Sequence, residues 1–168
     1  MKKPLVIIGL VVASALCGYV LYAYKPTDLS TGGGSSQPSI IDLSGQGMRE
    51  ISKNILDNSA ATTLDVSNNH LTGALPAEIR KLTKLEYLYA ANNQLTGIPA
   101  EIGQLSSLKA MDFSHNNLSG LPLEISNLKN LETLDLRGNP RISTHDVALI
   151  RDKIPNAHIL IDESERSQ

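Results

Sequence analysis

Between residues 41 and 139 the chain repeats one pattern of apolar and polar positions. Each copy has the form L-x-x-L-x-L-x-x-N, in which an apolar residue fills each L place and x is variable. Three copies begin at Leu85, Leu108 and Leu131, a fourth begins at Ala61, and a degenerate first copy begins at Ile41. Because apolar and variable residues alternate at its centre, each copy predicts a short strand with one buried face.

The polar residue that closes each copy sets the period. The steps between consecutive closing residues are 23, 24, 23 and 23 for Gln46, Asn69, Asn93, Asn116 and Asn139. After three of the asparagines comes a second apolar segment of the form apolar-Pro-x-Glu-Ile-x-x-Leu, starting at Leu75, Ile98 and Leu121. A constant step with two apolar segments predicts stacked coils that share one core.

With these motifs the chain resembles a leucine-rich repeat protein over about residues 38–162, of the short bacterial type with some plant-like Leu-Thr-Gly turns. The departures are Gln46 for Asn, Ala61 for Leu, and Ser52 where later copies have Pro. The resemblance implies an α/β repeat solenoid, a right-handed superhelix of about five repeats with short parallel strands on its concave face. It also implies a helix and a strand that cap the carboxyl-terminal end.

The four recurring asparagines are expected to form an internal ladder. A chain that turns sharply after each strand buries backbone N–H and C=O groups that have no partner in the sheet. A side-chain amide can donate two hydrogen bonds and accept others. We therefore expect Asn69, Asn93, Asn116 and Asn139 each to join its own turn to the turn of the next copy.

The carboxyl-terminal cap is visible after the last asparagine. Ser143 and Asp146 fit a capping box in which Asp replaces the usual Glu. Apolar residues follow at helical spacing, and Pro155 is expected to end the helix. Residues 158–161 then read as a last strand, which closes a repeat domain predicted at 40–162. A polar tail at 163–168 follows it.

The amino-terminal segment predicts export. Residues 5–24 contain no charge, and a helix of that length spans about 30 Å, enough to cross a bilayer. Lys2 and Lys3 precede it and predict a single-pass signal anchor within residues 1–24, with the amino terminus in the cytoplasm. Two alternatives stay open: Ala13 and Ala15 fit a cleaved signal peptide, and Cys17 a lipidated cysteine. Residues 25–39, rich in Gly, Ser and Pro, are expected to form a flexible linker.

Charge and composition exclude several classes of function. The formal net charge is −2 and no Lys/Arg block is present, which argues against nucleic-acid binding. The single cysteine rules out an internal disulfide framework and a thiolate zinc cluster. The four histidines have no metal-ligand spacing, and no Gly-x-Ser-x-Gly nucleophile motif occurs. We expect no enzyme activity, no cofactor and no metal site.

The variable residues of the strands point away from the predicted core and supply the candidate binding site. Tyr87 and Tyr89 are the only aromatic residues on this face, since Phe113 falls on the inward register. Tyrosine is a frequent binding hot spot, although two incidental surface tyrosines would give the same pattern. The polar candidates on the same concave face are Thr63, Asp65, Asp112, His115, Asp135 and Arg137. These could bind a cationic or hydroxyl-rich ligand, or simply form a solvated polar surface.

Together these features predict an extracytoplasmic, membrane-tethered domain that binds another protein or cell-surface macromolecule through its concave face. Membrane contact would come from residues 5–24. The alternative is a structural or adhesive protein of the cell envelope, a spacer without a dedicated partner.

Overall fold

In the computed structural model, which describes residues 39–162, each copy of the repeat pattern contributes one strand to a shared parallel sheet. The strands in chain order are β1 Ser39–Asp42, β2 Ala61–Asp65, β3 Thr72–Ala74, β4 Tyr87–Tyr89, β5 Gln94–Gly97, β6 Ala110–Asp112, β7 Thr133–Asp135 and β8 His158–Leu160. Six of them form a parallel sheet in the order β1-β2-β4-β6-β7-β8, and β3 pairs with β5 in a second sheet. The predicted α/β repeat solenoid with short parallel strands is confirmed.

Adjacent strands of the six-stranded sheet pair so that equivalent positions of the repeat lie side by side. Leu64 pairs with Leu88, Leu88 with Met111, and Met111 with Leu134. These four side chains are buried, because the repeat places an apolar residue at the same point of every coil. The register therefore converts the sequence period into one continuous apolar layer.

Short 3₁₀ helices form the opposite wall of the core. They span Lys53–Asp57, Ala77–Lys81, Ala100–Gln104 and Leu123–Asn127. The last three follow Pro76, Pro99 and Pro122, whose fixed φ suits the start of a helix. Each of these three helices buries one isoleucine, and Phe113 is fully buried between the two walls, as its inward register predicts.

The four asparagines reach back along the solenoid. Asn93 Nδ2 donates to the carbonyl oxygens of Val66, Ala90 and Ala91, and its Oδ1 accepts from the N–H of Leu71 at 3.0 Å. Val66 and Leu71 belong to the preceding coil. Corresponding bonds to the coil before are made by Asn69, Asn116 and Asn139. The amides therefore join each turn to the preceding copy, whereas the sequence analysis expected the next one.

The residue before each closing position adopts a left-handed backbone conformation. These residues are Gly45, Asn68, Asn92, His115 and Gly138, with φ between 53° and 71°. Glycine and asparagine are the residues that enter this region most readily, which explains four of the five. The sharp bend that positions every ladder asparagine thus depends on one left-handed residue per coil.

The carboxyl-terminal cap has a helix, α1, at Thr144–Arg151. Ser143 Oγ accepts a hydrogen bond from the N–H of His145, the second helical residue, rather than from Asp146 as the expected capping box requires. The helix ends at Arg151, before Pro155, because a tighter turn in which Lys153 N–H donates to the Ile150 carbonyl follows it. Strand β8 then pairs with β7 and extends the sheet.

The described residues can be compared with the domain boundaries predicted from the sequence. Strand β1 begins at Ser39, one residue before the predicted start of the repeat domain. The predicted anchor at residues 1–24, the predicted linker at 25–39 except for Ser39, and the tail at 163–168 lie outside the described residues. Within residues 39–162, no helix has the length and apolar character needed to cross a membrane.

Candidate functional site

The candidate site is the side of the six-stranded sheet that faces away from the core, called here the sheet face. Two columns of side chains run across it, one from each outward position of the strands. The first column contains Ile40, Thr63, Tyr87, Ala110, Thr133 and His158, and the second contains Asp42, Asp65, Tyr89, Asp112, Asp135 and Leu160. Both columns follow the sequence prediction, and β8 adds a member to each.

Tyr87 and Tyr89, called here the tyrosine pair, lie two residues apart on β4 and are half-buried. Because β4 lies between β2 and β6, Tyr87 is flanked by Thr63 and Ala110. Burial, together with neighbouring Tyr87, Asp65 and Asp112, raises the pKa of Tyr89 to about 12. The Tyr89 phenol therefore stays protonated at neutral pH and can both donate and accept a hydrogen bond.

The aspartates of the second column have a structural role in addition to any binding role. Asp65 Oδ1 accepts from Ser67 N–H at 2.9 Å and from Ser67 Oγ at 2.6 Å. Asp112 Oδ1 accepts from Ser114 N–H at 2.9 Å, and Asp42 makes the same contact with Ser44. Each carboxylate thus bonds to the backbone two residues on, at the point where the strand ends. The recurrence of aspartate in this column follows from that turn.

Asp135 and Arg137 bind each other. Asp135 is only 4 % exposed. Arg137 Nη2 lies 2.5 Å from Asp135 Oδ2, and Arg137 Nε donates to both oxygens of the same carboxylate. This hydrogen bonding raises the pKa of the Arg137 guanidinium. The two groups largely satisfy each other at the β7 end of the site.

Asp112 is an anion in an unfavourable environment. Burial raises the pKa of the Asp112 carboxyl, and the nearby charge of Asp135 raises it as well, while hydrogen bonds from Ser114 and the charge of Arg137 act in the opposite direction. A carboxylate with a raised pKa reduces the stability of the fold when it is ionised. The sheet therefore carries this charge at some loss of stability.

The substitution Asp112→Asn is expected to raise the free energy of unfolding at pH 7, by about 0.5 kcal/mol because the site is partly solvated. The asparagine oxygen can still accept from Ser114 N–H. The folded-state pKa lies above the ordinary 3.8. The gain is therefore present above the folded-state pKa and disappears as the pH falls through it towards 3.8.

Urea unfolding of both proteins at pH 7 and pH 3 measures this difference. An equal gain at both pH values would contradict the electrostatic explanation, since it would not depend on the charge of Asp112.

Three of the six polar candidates lie next to the tyrosine pair, namely Thr63, Asp65 and Asp112. The other three lie further from this pair. Asp135 and Arg137 lie at β7, two strands from β4. His115 is exposed in the turn after β6, and its ring covers Gly138 so closely that a Cβ there would lie 2.6 Å from His115 Nδ1. The compact part of the candidate site is thus the tyrosine pair with its immediate neighbours on β2 and β6.

A row of charged residues directly before the strands was not predicted from the sequence. Lys109 Nζ lies 2.8 Å from Glu86 Oε2, and this hydrogen bond raises the pKa of Lys109. These two residues, with Glu132, Ser107 and Asn130, line a shallow depression of about 380 Å³. Glu86, Lys109 and Glu132 each directly precede the first outward residue of a strand. Their constant place in the repeat was the signal that could have found them.

Metal chemistry has no support from the described side chains. Among residues 39–162, no three of the His, Cys, Asp and Glu side chains are placed to hold a metal ion together. The carboxylates of the second column are one per strand, and each bonds to its own turn or to Arg137.

Comparisons with known proteins agree on the repeat. Family profiles described as leucine rich repeat match residues 91–140 and 61–82. No curated protein sequence matches the chain. Among solved structures, the LRR ectodomain of the receptor kinase SOBIR1 from Arabidopsis thaliana is 30 % identical with a TM-score of 0.58, and the match covers 72 % of this chain and 67 % of that one.

Two further solved structures are longer than this chain. An LRR protein of Leptospira interrogans is 31 % identical with a TM-score of 0.56, over 67 % of this chain and 34 % of that one. The plant peptide hormone receptor RGFR1, solved in complex with RGF2, is 33 % identical with a TM-score of 0.58, over 73 % of this chain and 20 % of that one. The chain thus spans about a third and a fifth of the lengths of these two proteins.

Proposed function

The chain belongs to the leucine-rich repeat family, and from that premise we propose that it binds another protein through the sheet face, with the tyrosine pair at the centre of the contact. Domains of this family generally mediate protein–protein interaction, and the fold is typically a non-enzymatic binding scaffold. The observation that carries the proposal is the placement of Tyr87 and Tyr89 together on an inner strand. Two large side chains on a preformed sheet give contact area at a small loss of conformational entropy.

Similar proteins support this use of the fold. RGFR1 is a plant peptide hormone receptor, solved in complex with RGF2, and SOBIR1 is a receptor kinase whose repeat domain is an ectodomain. A sheet that is fixed by side-chain ladders can bind with little rearrangement. The same rigidity supports a binding module here.

Membrane tethering is the second part of the proposal. The uncharged stretch at residues 5–24, preceded by Lys2 and Lys3, would hold the amino terminus in the cytoplasm and the repeats outside. Mass-spectrometric sequencing of the mature amino terminus distinguishes an intact anchor from a cleaved or lipidated one. Protease digestion of intact cells tests the orientation, because repeats on the cytoplasmic side would survive it.

The binding test uses fragment 36–168, immobilised and exposed to solubilised envelope proteins. We expect Tyr87→Ala/Tyr89→Ala to weaken capture of a specific partner roughly 30-fold, equivalent to about 2 kcal/mol. The matched control is Leu123→Ala/Leu149→Ala, which truncates two exposed apolar side chains away from the sheet face. Circular dichroism melts establish that all three proteins fold.

Equal capture by the tyrosine variant and the unaltered fragment would contradict the proposed site. If no protein is captured by any of them, the result favours the alternative of an envelope spacer without a dedicated partner.

A further inference from the structure

Negative charge surrounds the tyrosine pair on the sheet face. Asp65 on β2 and Asp112 on β6 both pair directly with Tyr89. Arg137, whose charge acts on Asp112, is itself bound by Asp135. The centre of the proposed contact is therefore aromatic and anionic.

We infer that the partner presents an extended segment with two arginine side chains, which lie against the tyrosine pair and form ion pairs with Asp65 and Asp112. This inference rests on the proposed function and specifies the chemistry of the partner. The contact combines cation–π stacking on tyrosine with charge-assisted hydrogen bonds to carboxylate. Arginine satisfies both requirements, because its guanidinium is planar and presents a fork of N–H donors.

The spacing of the strands sets the spacing of the two cations. Asp65 and Asp112 lie one strand on either side of Tyr89, so their backbones are about 10 Å apart. In an extended segment, side chains two residues apart point to the same side at about 7 Å, and arginine side chains are long enough to cover the difference. One guanidinium can therefore approach each carboxylate while the Tyr89 ring lies between them.

Both carboxylates retain capacity to accept such bonds. The hydrogen bonds from Ser67 both go to Asp65 Oδ1, and the N–H of Ser114 donates to Asp112 Oδ1. An ionised carboxylate offers about four lone-pair sites on its two oxygens. The turn contacts therefore leave room for a guanidinium at each aspartate.

Charge complementarity favours this occupant over others. A neutral segment would cover Asp65 and Asp112 and remove water from them without supplying a counter-charge, and an acidic segment would add repulsion. Asp112 already has a raised pKa from burial and from Asp135. A partner cation would compensate for that loss of hydration.

The probe is a synthetic pentapeptide with blocked ends and the sequence Gly-Arg-Ala-Arg-Gly, added to the full 168-residue chain in detergent. Saturation-transfer NMR, with irradiation of the aromatic protons of the protein, reports contact with the arginine methylene protons. We expect a dissociation constant of about 1 mM or below. Binding should weaken as salt rises, because partly exposed charges are screened.

Three variants locate the contact. Asp65→Asn and Asp112→Asn keep a turn acceptor and remove the charge, and each should weaken binding about fivefold. Glu101→Gln, on the 3₁₀ helix wall, is the matched control and should bind like the unaltered chain. Unchanged binding by both Asn variants would overturn the inference, as would equal binding of a pentapeptide with Glu in place of Arg.

These experiments distinguish failure of the arginine inference from failure of the proposed binding function. Tyrosine-dependent capture of a protein, together with no detectable binding of the arginine peptide, would refute the arginine chemistry and leave the binding role standing. Binding of the peptide that depends on Asp65 and Asp112 but not on Tyr87 and Tyr89 would also refute the inferred contact, which needs both.

Discussion

Replacement of Asn93 by leucine is expected to lower the free energy of unfolding by about 3 kcal/mol. Its amide supplies the acceptor for Leu71 N–H in a buried turn and donates to three carbonyl oxygens. The carbonyls of Val66 and Ala90 keep a second amide partner, from Asn69 and Asn116 respectively. Leu71 N–H is then left without a partner, and an unsatisfied buried donor accounts for most of the effect.

Equilibrium unfolding in urea measures this loss. The matched control is Asn92→Gly, which changes the adjacent asparagine, an exposed residue with φ of 55° that glycine adopts freely. We expect the control to stay within about 0.5 kcal/mol of the unaltered chain. A similar loss in both variants would mean that the ladder itself contributes little.

The second large effect is expected for Gly103→Ala, a loss of about 2–3 kcal/mol. Gly103 lies in the 3₁₀ helix Ala100–Gln104, against the following coil. A Cβ there would lie 2.4 Å from the carbonyl oxygen of Glu124 and 2.7 Å from its Cβ. Because the first of these is a backbone atom, relief requires the two coils to separate.

Gly97→Ala is the matched control for that experiment. A Cβ at Gly97 would meet Ala74 Cβ at 3.8 Å, an ordinary contact, and we expect a change of less than about 0.5 kcal/mol. Thermal melts of the three proteins give the comparison. If Gly103→Ala has the same melting temperature as the control, the two coils can separate locally without a loss of stability. The close packing at Glu124 would then not require glycine at position 103.

The sequence predicts those features that depend on the period alone. Alternation within a strand and the constant repeat length together predict the two columns that contain Tyr87 and Tyr89. The same alternation predicts the burial of Phe113. The repeat pattern does not predict that position 103 must be glycine, since the corresponding residues of the neighbouring coils are Arg80 and Ser126. It depends on how closely two particular coils approach, which no repeat pattern specifies.

Side-chain bonds on the sheet face could be predicted only in part. The sequence places Asp65, Asp112 and Asp135 in one column, but the bond from each to the backbone two residues on depends on the shape of the turn. The ion pair between Glu86 and Lys109 joins the residues just before β4 and β6, so its prediction needs the register of these strands to be known. The roles of the candidate binding residues stay predictions, because they depend on a partner.

The backward direction of the asparagine ladder has a consequence for synthesis. The Leu71 N–H of one coil is satisfied only when Asn93 of the following coil has arrived, and the same holds for Leu95 and Asn116. The chain emerges from the ribosome amino terminus first. Each coil can therefore complete its buried hydrogen bonds only after the next coil has also emerged. At the last turn Gly138 N–H donates to Asp162 Oδ2, whereas the equivalent N–H groups of Asn92 and His115 donate to backbone carbonyls of the next coil. The hydrogen bonds of the last coil are therefore complete only after Asp162 has been added.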